Sequence, residues 1–207
     1  MRRLRPCGDS AGPPGVSSTV LDRSERLLAE GKRRAIEAGV AIKWVLGDMR
    51  EIPLVPHFDA IINLFTSFGY FDDDSENEQV LQGTARTLKP GGLLLIDVIH
   101  RDALLWLGIS RRWEELARYW LLEENHCDLL TSRWRTQRWL IPKEGGPPLQ
   151  AHHSIRVYAA HELHAMCRRC GLEVIDQFGG LNGSGLTKES WRLVTLAKHS
   201  GSRSVDG

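Results

Sequence analysis

The chain has little excess charge and no long apolar run, and both shortages narrow its class. Its 207 residues include 27 Lys and Arg against 26 Asp and Glu, a formal net charge of +1. This balance gives no electrostatic reason to expect binding to nucleic acid or to an anionic membrane. No segment approaches the roughly 20 apolar residues of a membrane span, and the basic start lacks the apolar core of a secretory signal. We therefore expect a cytoplasmic protein with one main domain.

Cysteine is also scarce. Four cysteines in a chain of this length do not make a disulfide framework, so free thiols are expected. Cys167 and Cys170 have the C-x-x-C spacing, but they end a predicted helix just before Gly171, whereas redox pairs use a helix N-terminus. No second pair is present to complete a zinc site, and His161 and His164 do not form H-E-x-x-H. We expect no metal site.

The start of the chain lacks an apolar strand followed by a glycine-rich turn. Residues 1–18 are rich in Arg, Gly, Pro and Ser and have neither a strand nor a helix period, which indicates an irregular or disordered segment. Cys7–Gly12 contains two glycines, but Pro13 and Pro14 follow where a helix would begin. The G-x-G-x-x-G turn of nicotinamide-dependent oxidoreductases is therefore absent here.

Short apolar runs predict buried strands between Thr19 and Ile99, and helical segments alternate with them. This alternation is typical of a parallel sheet covered on both faces, and hence of an α/β fold. The predicted strands are Thr19–Asp22, Ile42–Leu46, Phe58–Leu64 and Leu93–Ile99.

Two helices are predicted between these strands. Ser24 is a good N-cap for the first, which ends at Gly39. The second is closed by Lys89–Gly92, a Pro-Gly-Gly turn with no chemical role of its own. Apolar residues share a face of each helix. They are Leu27, Leu28, Gly31, Ala35 and Ile36 in the first, and Val80, Leu81, Ala85 and Leu88 in the second.

After Ile99 the pattern changes from alternating elements to an antiparallel insertion at about residues 113–158. A short helix at His100–Leu105 comes first, and a helix at Ala160–Arg169 follows the insertion. The turn-rich segment Gly179–Gly185 predicts that the last two strands are antiparallel. The predicted strands are Tyr119–Leu130, Ser132–Ile141 and His153–Tyr158 in the insertion, then Leu172–Phe178 and Trp191–Ala197.

The insertion is rich in Arg and Trp, which could stack on nucleic-acid bases. Arg stems and indoles also commonly cover the solvent face of a small sheet, and glutamates lie nearby, so we favour this second interpretation. The residues concerned are Arg111, Arg112, Trp113, Arg133, Trp134, Arg135, Arg138 and Trp139.

Three motifs together resemble those of the class I S-adenosylmethionine-dependent methyltransferases, in particular their small-molecule branch. They are Gly47-Asp48-Met49, Asn63–Tyr70 and Leu88–Gly92. The resemblance covers about residues 19–198 and leaves a tail at 199–207. It implies a Rossmann-like sheet, mostly parallel with a reversed last strand, and S-adenosylmethionine as the cofactor. The family's first strand, glycine-rich turn and first helix would precede Thr19, and this strand-helix unit is expected to be missing.

The resemblance also implies roles for residues at the strand ends. Asp22 matches the acid that accepts both ribose hydroxyls, and we favour this role over the alternative, in which the carboxylate only stabilises the helix start. Asp48 and Met49 match the adenine site, although Asp48 could simply stabilise a turn. Asn63, Leu64 and Thr66 would lie beneath the methionine part of the cofactor.

Substrate contacts are harder to assign because methyl transfer mainly requires alignment of the acceptor and exclusion of water. The catalytic residue is therefore left unknown. Candidates for contact with a small-molecule substrate are Tyr70, His100, Arg156 and Tyr158, each of which could instead be structural.

Three functions remain after this reading. The first is methyl transfer from S-adenosylmethionine to an O, N or C nucleophile of a small molecule. The second is a non-enzymatic remnant of the same fold that acts as a binding module or is inactive. The third, a nicotinamide-dependent oxidoreductase, lacks its glycine turn. The acceptor and the oligomeric state are not indicated by the sequence.

Overall fold

The structure is a computed structural model that describes residues 15–53, 58–108 and 110–201. It divides into two units, one on each side of the boundary between residues 54 and 55. Most of the predicted irregular start, including Cys7–Gly12, lies outside the described residues. The predicted tail at 199–207 lies outside them only from residue 202, and its first residue, His199, instead ends the last strand.

A parallel β-α-β motif forms the first unit. Strand β1, Ser18–Asp22, pairs in parallel with strand β2, Ile42–Leu46, and helix α1, Glu25–Glu37, connects them. A short 3₁₀ helix, Met49–Glu51, follows β2. These elements confirm the strand-helix-strand order that the sequence predicts.

Helix α1 has clear signals at both ends. The hydroxyl of Ser24 accepts from the amide of Leu27 at 3.3 Å, which confirms Ser24 as the N-cap. At the other end, the amides of Gly39 and Val40 donate to the carbonyls of Ile36 and Ala35, a Schellman arrangement that glycine permits because its φ is +66°.

Fewer residues of α1 are buried than the sequence predicts. Leu28 and Ala35 are buried, but Leu27 and Ile36 are 54% and 80% exposed. Gly31 lies against the indole of Trp44 on β2, where a Cβ would be only 2.6 Å from the ring. Of the predicted face, residues 28, 31 and 35 are therefore the ones that pack inward.

The second unit begins with a mixed sheet whose strand order is β3-β4-β10-β9. Strand β3 is parallel to β4, whereas β10 is antiparallel to both β4 and β9. This confirms a reversed last strand. The strands are β3, Phe58–Asn63; β4, Leu88–Ile99; β9, Leu172–Phe178; and β10, Arg192–His199.

Three helices connect the strands of the second unit. Helix α2, Asp74–Thr87, starts with a capping box formed by Asp73 and Glu76 and buries Val80, Leu81 and Ala85. Helix α3, Arg101–Leu107, follows β4, and helix α4, Ala160–Arg169, precedes β9. Leu163 and Met166 of α4 are buried, as their spacing predicts.

The prediction of a separate turn at Lys89–Gly92 is wrong. Strand β4 starts at Leu88, directly after α2, and contains these four residues. The register with β3 jumps from Phe58 opposite Leu88 to Ala60 opposite Leu93, so the segment is a bulge within the strand. Gly91, with a φ of +78°, supplies the required conformation.

The insertion is a four-stranded antiparallel sheet with the order β5-β6-β7-β8. The sequence missed β5 because its five residues are all exposed and four of them are charged, so it has no apolar period. One face packs against α3 through a cluster of Leu104, Trp134, Ile155 and Val157. The strands are β5, Arg111–Glu115; β6, Tyr119–Asp128; β7, Arg133–Pro142; and β8, Leu149–Arg156.

Candidate active site

Two carboxylates follow the two strands of the first unit. Strand β1 ends at Asp22, whose partner in the register is Leu46, the last residue of β2. The amide of Gly47 donates to the carbonyl of Asp22 at 3.1 Å, and Asp48 comes next in the chain. Asp22 and Asp48 therefore lie at the carboxyl edge of one parallel strand pair, the edge at which open α/β sheets collect ligands.

Asp22 also holds the turn into α1. Its Oδ1 accepts from the amide of Ser24 at 2.8 Å, and the side chain is only partly exposed. A carboxylate offers about four acceptor positions, so one bond to Ser24 leaves capacity for further donors. The helix-start role and the predicted ribose role are therefore compatible.

Asp48 has a stronger structural role than the sequence indicated. It caps the 3₁₀ helix by accepting from the amide of Arg50 at 2.9 Å, and its Oδ2 accepts from the Arg50 guanidinium at 2.7 Å. The side-chain hydrogen bond from Arg50 holds the pKa of Asp48 below its ordinary value. Asp48 is thus an ionised acceptor at neutral pH, and partly buried Met49 starts the helix beside it.

In the second unit, the loop after β3 has an unusual backbone. Asn63 ends β3 opposite Ile96, and Leu64 follows it. Phe65 and Thr66 then have φ values of 56° and 59°. The left-handed region costs a residue other than glycine about 1–2 kcal/mol, so two such residues in succession need support from their surroundings.

Asp97 of β4 supplies part of that support. Its Oδ2 accepts from the amide of Phe65 at 3.0 Å, and its carbonyl accepts from the amide of Thr66 at 2.9 Å. The hydroxyl of Thr66 accepts from the amide of Ile99 at 3.0 Å. The loop is therefore hydrogen-bonded to the end of β4 at three places.

Sequence reasoning missed Asp97 and its partner Arg192. The guanidinium of Arg192 donates from Nε to Asp97 Oδ1 at 2.6 Å, and Asp97 is 1% exposed. One local signal existed, because Asp97 is the single charged residue in the apolar run Leu93–Ile99. A buried charge requires a partner, but the partner is 95 positions away in the sequence.

Phe68 and Tyr70, two aromatic residues of this loop, differ in burial. Phe68 is fully buried and its ring lies 5.5 Å from that of Tyr158. Tyr70, two residues later, is 52% exposed. Of the predicted substrate residues, Tyr70 therefore has the side chain most available to a ligand.

Arg156 and Tyr158 belong to a partly buried polar network. Arg156 donates to Asp74 at 3.3 Å and to Glu162 at 2.8 Å, and its guanidinium lies over the Tyr158 ring. The hydroxyl of Tyr158 donates to Asp74 at 3.2 Å, and burial raises the pKa of Tyr158. These contacts account for both residues without a ligand, and their substrate role stays a prediction.

His100 is also buried between protein groups. Its Nδ1 lies 3.1 Å from the carbonyl oxygen of Ser190, and its Nε2 lies 3.7 Å from Asp102. Because a carbonyl only accepts, Nδ1 carries the proton in this contact. His100 occupies the N-cap position of α3, but its side chain makes no capping bond to the described part of that helix.

The remaining candidate for redox or metal chemistry is the C-x-x-C pair. Both thiols are buried, and burial raises the pKa of Cys167 to about 12 and that of Cys170 to about 11. A redox thiol requires a lowered pKa, so the environment does not favour that role. Across residues 15–53, 58–108 and 110–201, no three His, Cys, Asp or Glu side chains group as metal ligands.

Comparison with known proteins identifies the family. The model of the methyltransferase domain family matches residues 9–92. The dTDP-3-amino-3,4,6-trideoxy-alpha-D-glucopyranose N,N-dimethyltransferase of Streptomyces venezuelae is 30% identical over 195 residues, covering 86% of this chain and 72% of that protein. The chain belongs to the S-adenosylmethionine-dependent methyltransferases. This assignment replaces the nicotinamide-dependent oxidoreductase considered above.

A second relative matches a shorter part of this chain. The mitochondrial 2-methoxy-6-polyprenyl-1,4-benzoquinol methylase of Danio rerio is 36% identical over 86 residues, which is 41% of this chain and 25% of that protein. The match thus spans about a quarter of the relative's length.

Solved methyltransferase structures confirm the fold. An S-adenosylmethionine-dependent methyltransferase from Clostridium acetobutylicum aligns with a TM-score of 0.79 over 90% of this chain and 76% of that one, at 17% identity. The CcbJ methyltransferase of Streptomyces caelestis aligns with a TM-score of 0.80 over the same shares, at 18% identity. At these identities the alignments establish the Rossmann-like α/β architecture alone.

The chemistry of the strand-end residues suits the methyltransferase cofactor. S-adenosylmethionine presents ribose hydroxyls and an adenine amine, which are hydrogen-bond donors, and the carboxylates of Asp22 and Asp48 are acceptors. Both side chains are partly exposed and at one carboxyl edge. The residues present in the first unit therefore fit the nucleoside part of the cofactor.

No helix in the described ranges has the length and apolar character that crossing a membrane would require.

Proposed function

We propose that this chain transfers a methyl group from S-adenosylmethionine to an O, N or C nucleophile of a small molecule. The observation that carries the proposal is the pair of carboxylates, Asp22 and Asp48, at the carboxyl edge of β1 and β2. Membership of the methyltransferase family supports the same conclusion.

In this proposal the first unit binds the nucleoside. Asp22 accepts from the ribose hydroxyls with the acceptor capacity that Ser24 leaves free. Asp48 accepts from the exocyclic amine of adenine, and Arg50 keeps its carboxylate ionised. Met49 flanks the adenine ring.

The loop after β3 serves the methionine part of the cofactor. Asn63, Leu64 and Thr66 contribute backbone carbonyls, and Asn63 adds its side-chain amide; these groups suit a positively charged sulfonium. The support from Asp97 keeps this backbone in one conformation before a ligand arrives, and such pre-organisation lowers the cost of binding.

The chemistry places few demands on acid-base groups. The sulfonium supplies a methyl group already activated for in-line displacement, and its positive charge disperses as the methyl moves. The protein mainly aligns the acceptor and excludes water. Exposed Tyr70 is the leading substrate contact, and the other candidates, His100, Arg156 and Tyr158, shape the surrounding structure in this proposal.

The names of the relatives support a small-molecule acceptor. One is named for an amino sugar attached to dTDP and another for a benzoquinol. The first name specifies methylation of nitrogen and the second does not name the methylated atom, so the proposal leaves the nucleophile as O, N or C.

Calorimetric titration of the full chain with S-adenosylmethionine tests the proposal against the remnant hypothesis. Micromolar affinity, which corresponds to about 8 kcal/mol of binding free energy, supports a functional cofactor site. No heat of binding at millimolar ligand contradicts the proposal and favours the inactive remnant.

A further inference from the structure

The left-handed turn at Phe65 and Thr66 is supported by a residue from the far end of the chain. Arg192 is the first residue of β10, and β10 pairs with β4 so that Arg192 lies opposite Ile99. This register places the guanidinium beside Asp97 and the loop. The pairing of the last strand, β10, with β4 thus places the positively charged side chain of Arg192 beside the loop that follows β3.

All three nitrogen atoms of the Arg192 guanidinium donate hydrogen bonds here. Nε donates to Asp97 Oδ1 at 2.6 Å, and Nη2 donates to the carbonyl of Asp97 at 3.0 Å. Nη1 donates to the hydroxyl of Thr66 at 3.2 Å. Two of the bonds therefore hold the strand residue and the third holds the loop itself.

The same carboxylate connects Arg192 to Phe65, the first residue of the turn. Asp97 Oδ1 accepts from Arg192, and Oδ2 accepts from the amide of Phe65 at 3.0 Å. Arg192 therefore orients the group that holds Phe65 and directly contacts the residue that follows. Phe65 itself is 58% exposed, so side-chain packing does not explain the conformation.

Charge neutralisation alone would not require this arrangement. A lysine at position 192 could neutralise Asp97, but one ammonium group does not reproduce the planar fork of a guanidinium. The bond from Nη1 to Thr66 adds nothing to neutralisation of Asp97. Its effect is on the position of the loop.

We propose that Arg192 is a positioning residue for the methyl-donor site, acting through Asp97 and Thr66 on the loop that carries Asn63, Leu64 and Thr66. This inference rests on the proposed function. Arg192 does not itself contact the cofactor. It holds the backbone of the loop in the conformation that contacts the cofactor.

Hydrogen exchange of backbone amides tests the positioning directly and needs no ligand. We expect the amides of Phe65 and Thr66 to exchange about tenfold faster in Arg192→Met than in the wild type, with Arg192→Lys intermediate. Arg135→Met and Arg135→Lys are matched controls, because Arg135 forms an exposed ion pair with Asp128 in the same unit. Wild-type exchange at both amides in Arg192→Met would overturn the inference.

Ligand affinity links the loop to the cofactor. Calorimetry of each variant should use S-adenosylhomocysteine, which has the amino-acid part, and adenosine, which lacks it. We expect Arg192→Lys to weaken the binding of S-adenosylhomocysteine several-fold and Arg192→Met to weaken it about tenfold. In both variants the affinity for adenosine should stay within about twofold of the wild-type value. General loss of stability would not change the ratio of the two affinities.

The outcomes separate this inference from the proposed function. If the wild type binds S-adenosylhomocysteine and the Arg192 variants bind it equally well, the positioning role is rejected and the proposed function stands. If the wild type binds neither ligand, the proposed function is rejected. Selective loss of S-adenosylhomocysteine together with faster exchange at Phe65 and Thr66 supports the inference.

Discussion

The amide of Arg156 donates to the carbonyl of Gly69 at 2.7 Å, and this bond joins the inserted sheet to the loop after β3. The two backbones approach so closely that a Cβ on Gly69 would lie 2.4 Å from the carbonyl oxygen of Arg156. The φ of Gly69 is +103°. Position 69 therefore requires glycine for both space and conformation.

Gly69→Ala should destabilise the second unit because it combines backbone strain with a clash against rigid backbone. We expect a loss of more than about 2 kcal/mol in the free energy of unfolding, measured with urea. Gly183→Ala is the control, since Gly183 has a φ of +75° and open space around its Cβ. Equal losses in the two variants would show that the contact with Arg156 is unimportant.

Gly31→Ala should destabilise the first unit, although the same change in an exposed helix position normally stabilises by about 0.5–1 kcal/mol. The new Cβ would lie 2.6 Å from Cη2 of Trp44. A double-mutant cycle with Trp44→Leu checks the cause, because the smaller side chain should remove most of the penalty. An unchanged penalty in the Trp44→Leu background would contradict this explanation.

Acid should weaken the fold through Glu162. Burial alone would raise the pKa of Glu162, but hydrogen bonds from Arg156 and from the amide of Ala159, with the charge of Arg101, lower it below its ordinary 4.5. A lowered folded-state pKa contributes stability above the unfolded value, and this stability is lost as pH falls through the folded pKa.

Glu162→Gln should therefore flatten the loss of stability below about pH 4.5, which urea unfolding at a series of pH values can measure. At neutral pH the variant should be less stable than the wild type, because Arg156 and Arg101 lose an anionic partner. An acid limb identical to that of the wild type would mean that Glu162 does not contribute to it.

The C-x-x-C pair should be chemically inert in the folded protein. Burial raises the pKa of Cys167 to about 12 and that of Cys170 to about 11, so little thiolate exists at pH 8. Mass spectrometry after brief exposure to iodoacetamide should find both residues unmodified, and denaturation in urea should make them react. Rapid labelling of either thiol in the folded state would contradict the buried environment.

Much of the fold could be predicted from the sequence because its signals are local. Ser24 and Gly39 mark the ends of α1, and apolar runs mark the strands on either side. The position of Asp22 and Asp48 follows from the same pattern, since parallel strands share a carboxyl edge.

What the sequence did not reveal depends on distant contacts. The pairing of Asp97 with Arg192 joins residues 95 positions apart, and it is this pairing that supports the left-handed turn at Phe65 and Thr66. Likewise, Lys89–Gly92 has the composition of a turn, and only its register with β3 makes it a bulge. Local propensity is weaker than such tertiary constraints.

The central claim is that Asp22 and Asp48 bind the nucleoside of S-adenosylmethionine, and calorimetry of single variants tests it most directly. Hydrogen bonds to a charged group contribute about 1.5–3 kcal/mol, so Asp22→Ala and Asp48→Ala should each weaken binding by more than about tenfold. Glu37→Gln is the control, because Glu37 is an exposed partner of Arg33 at the opposite end of α1. Affinity unchanged in both aspartate variants would contradict the account.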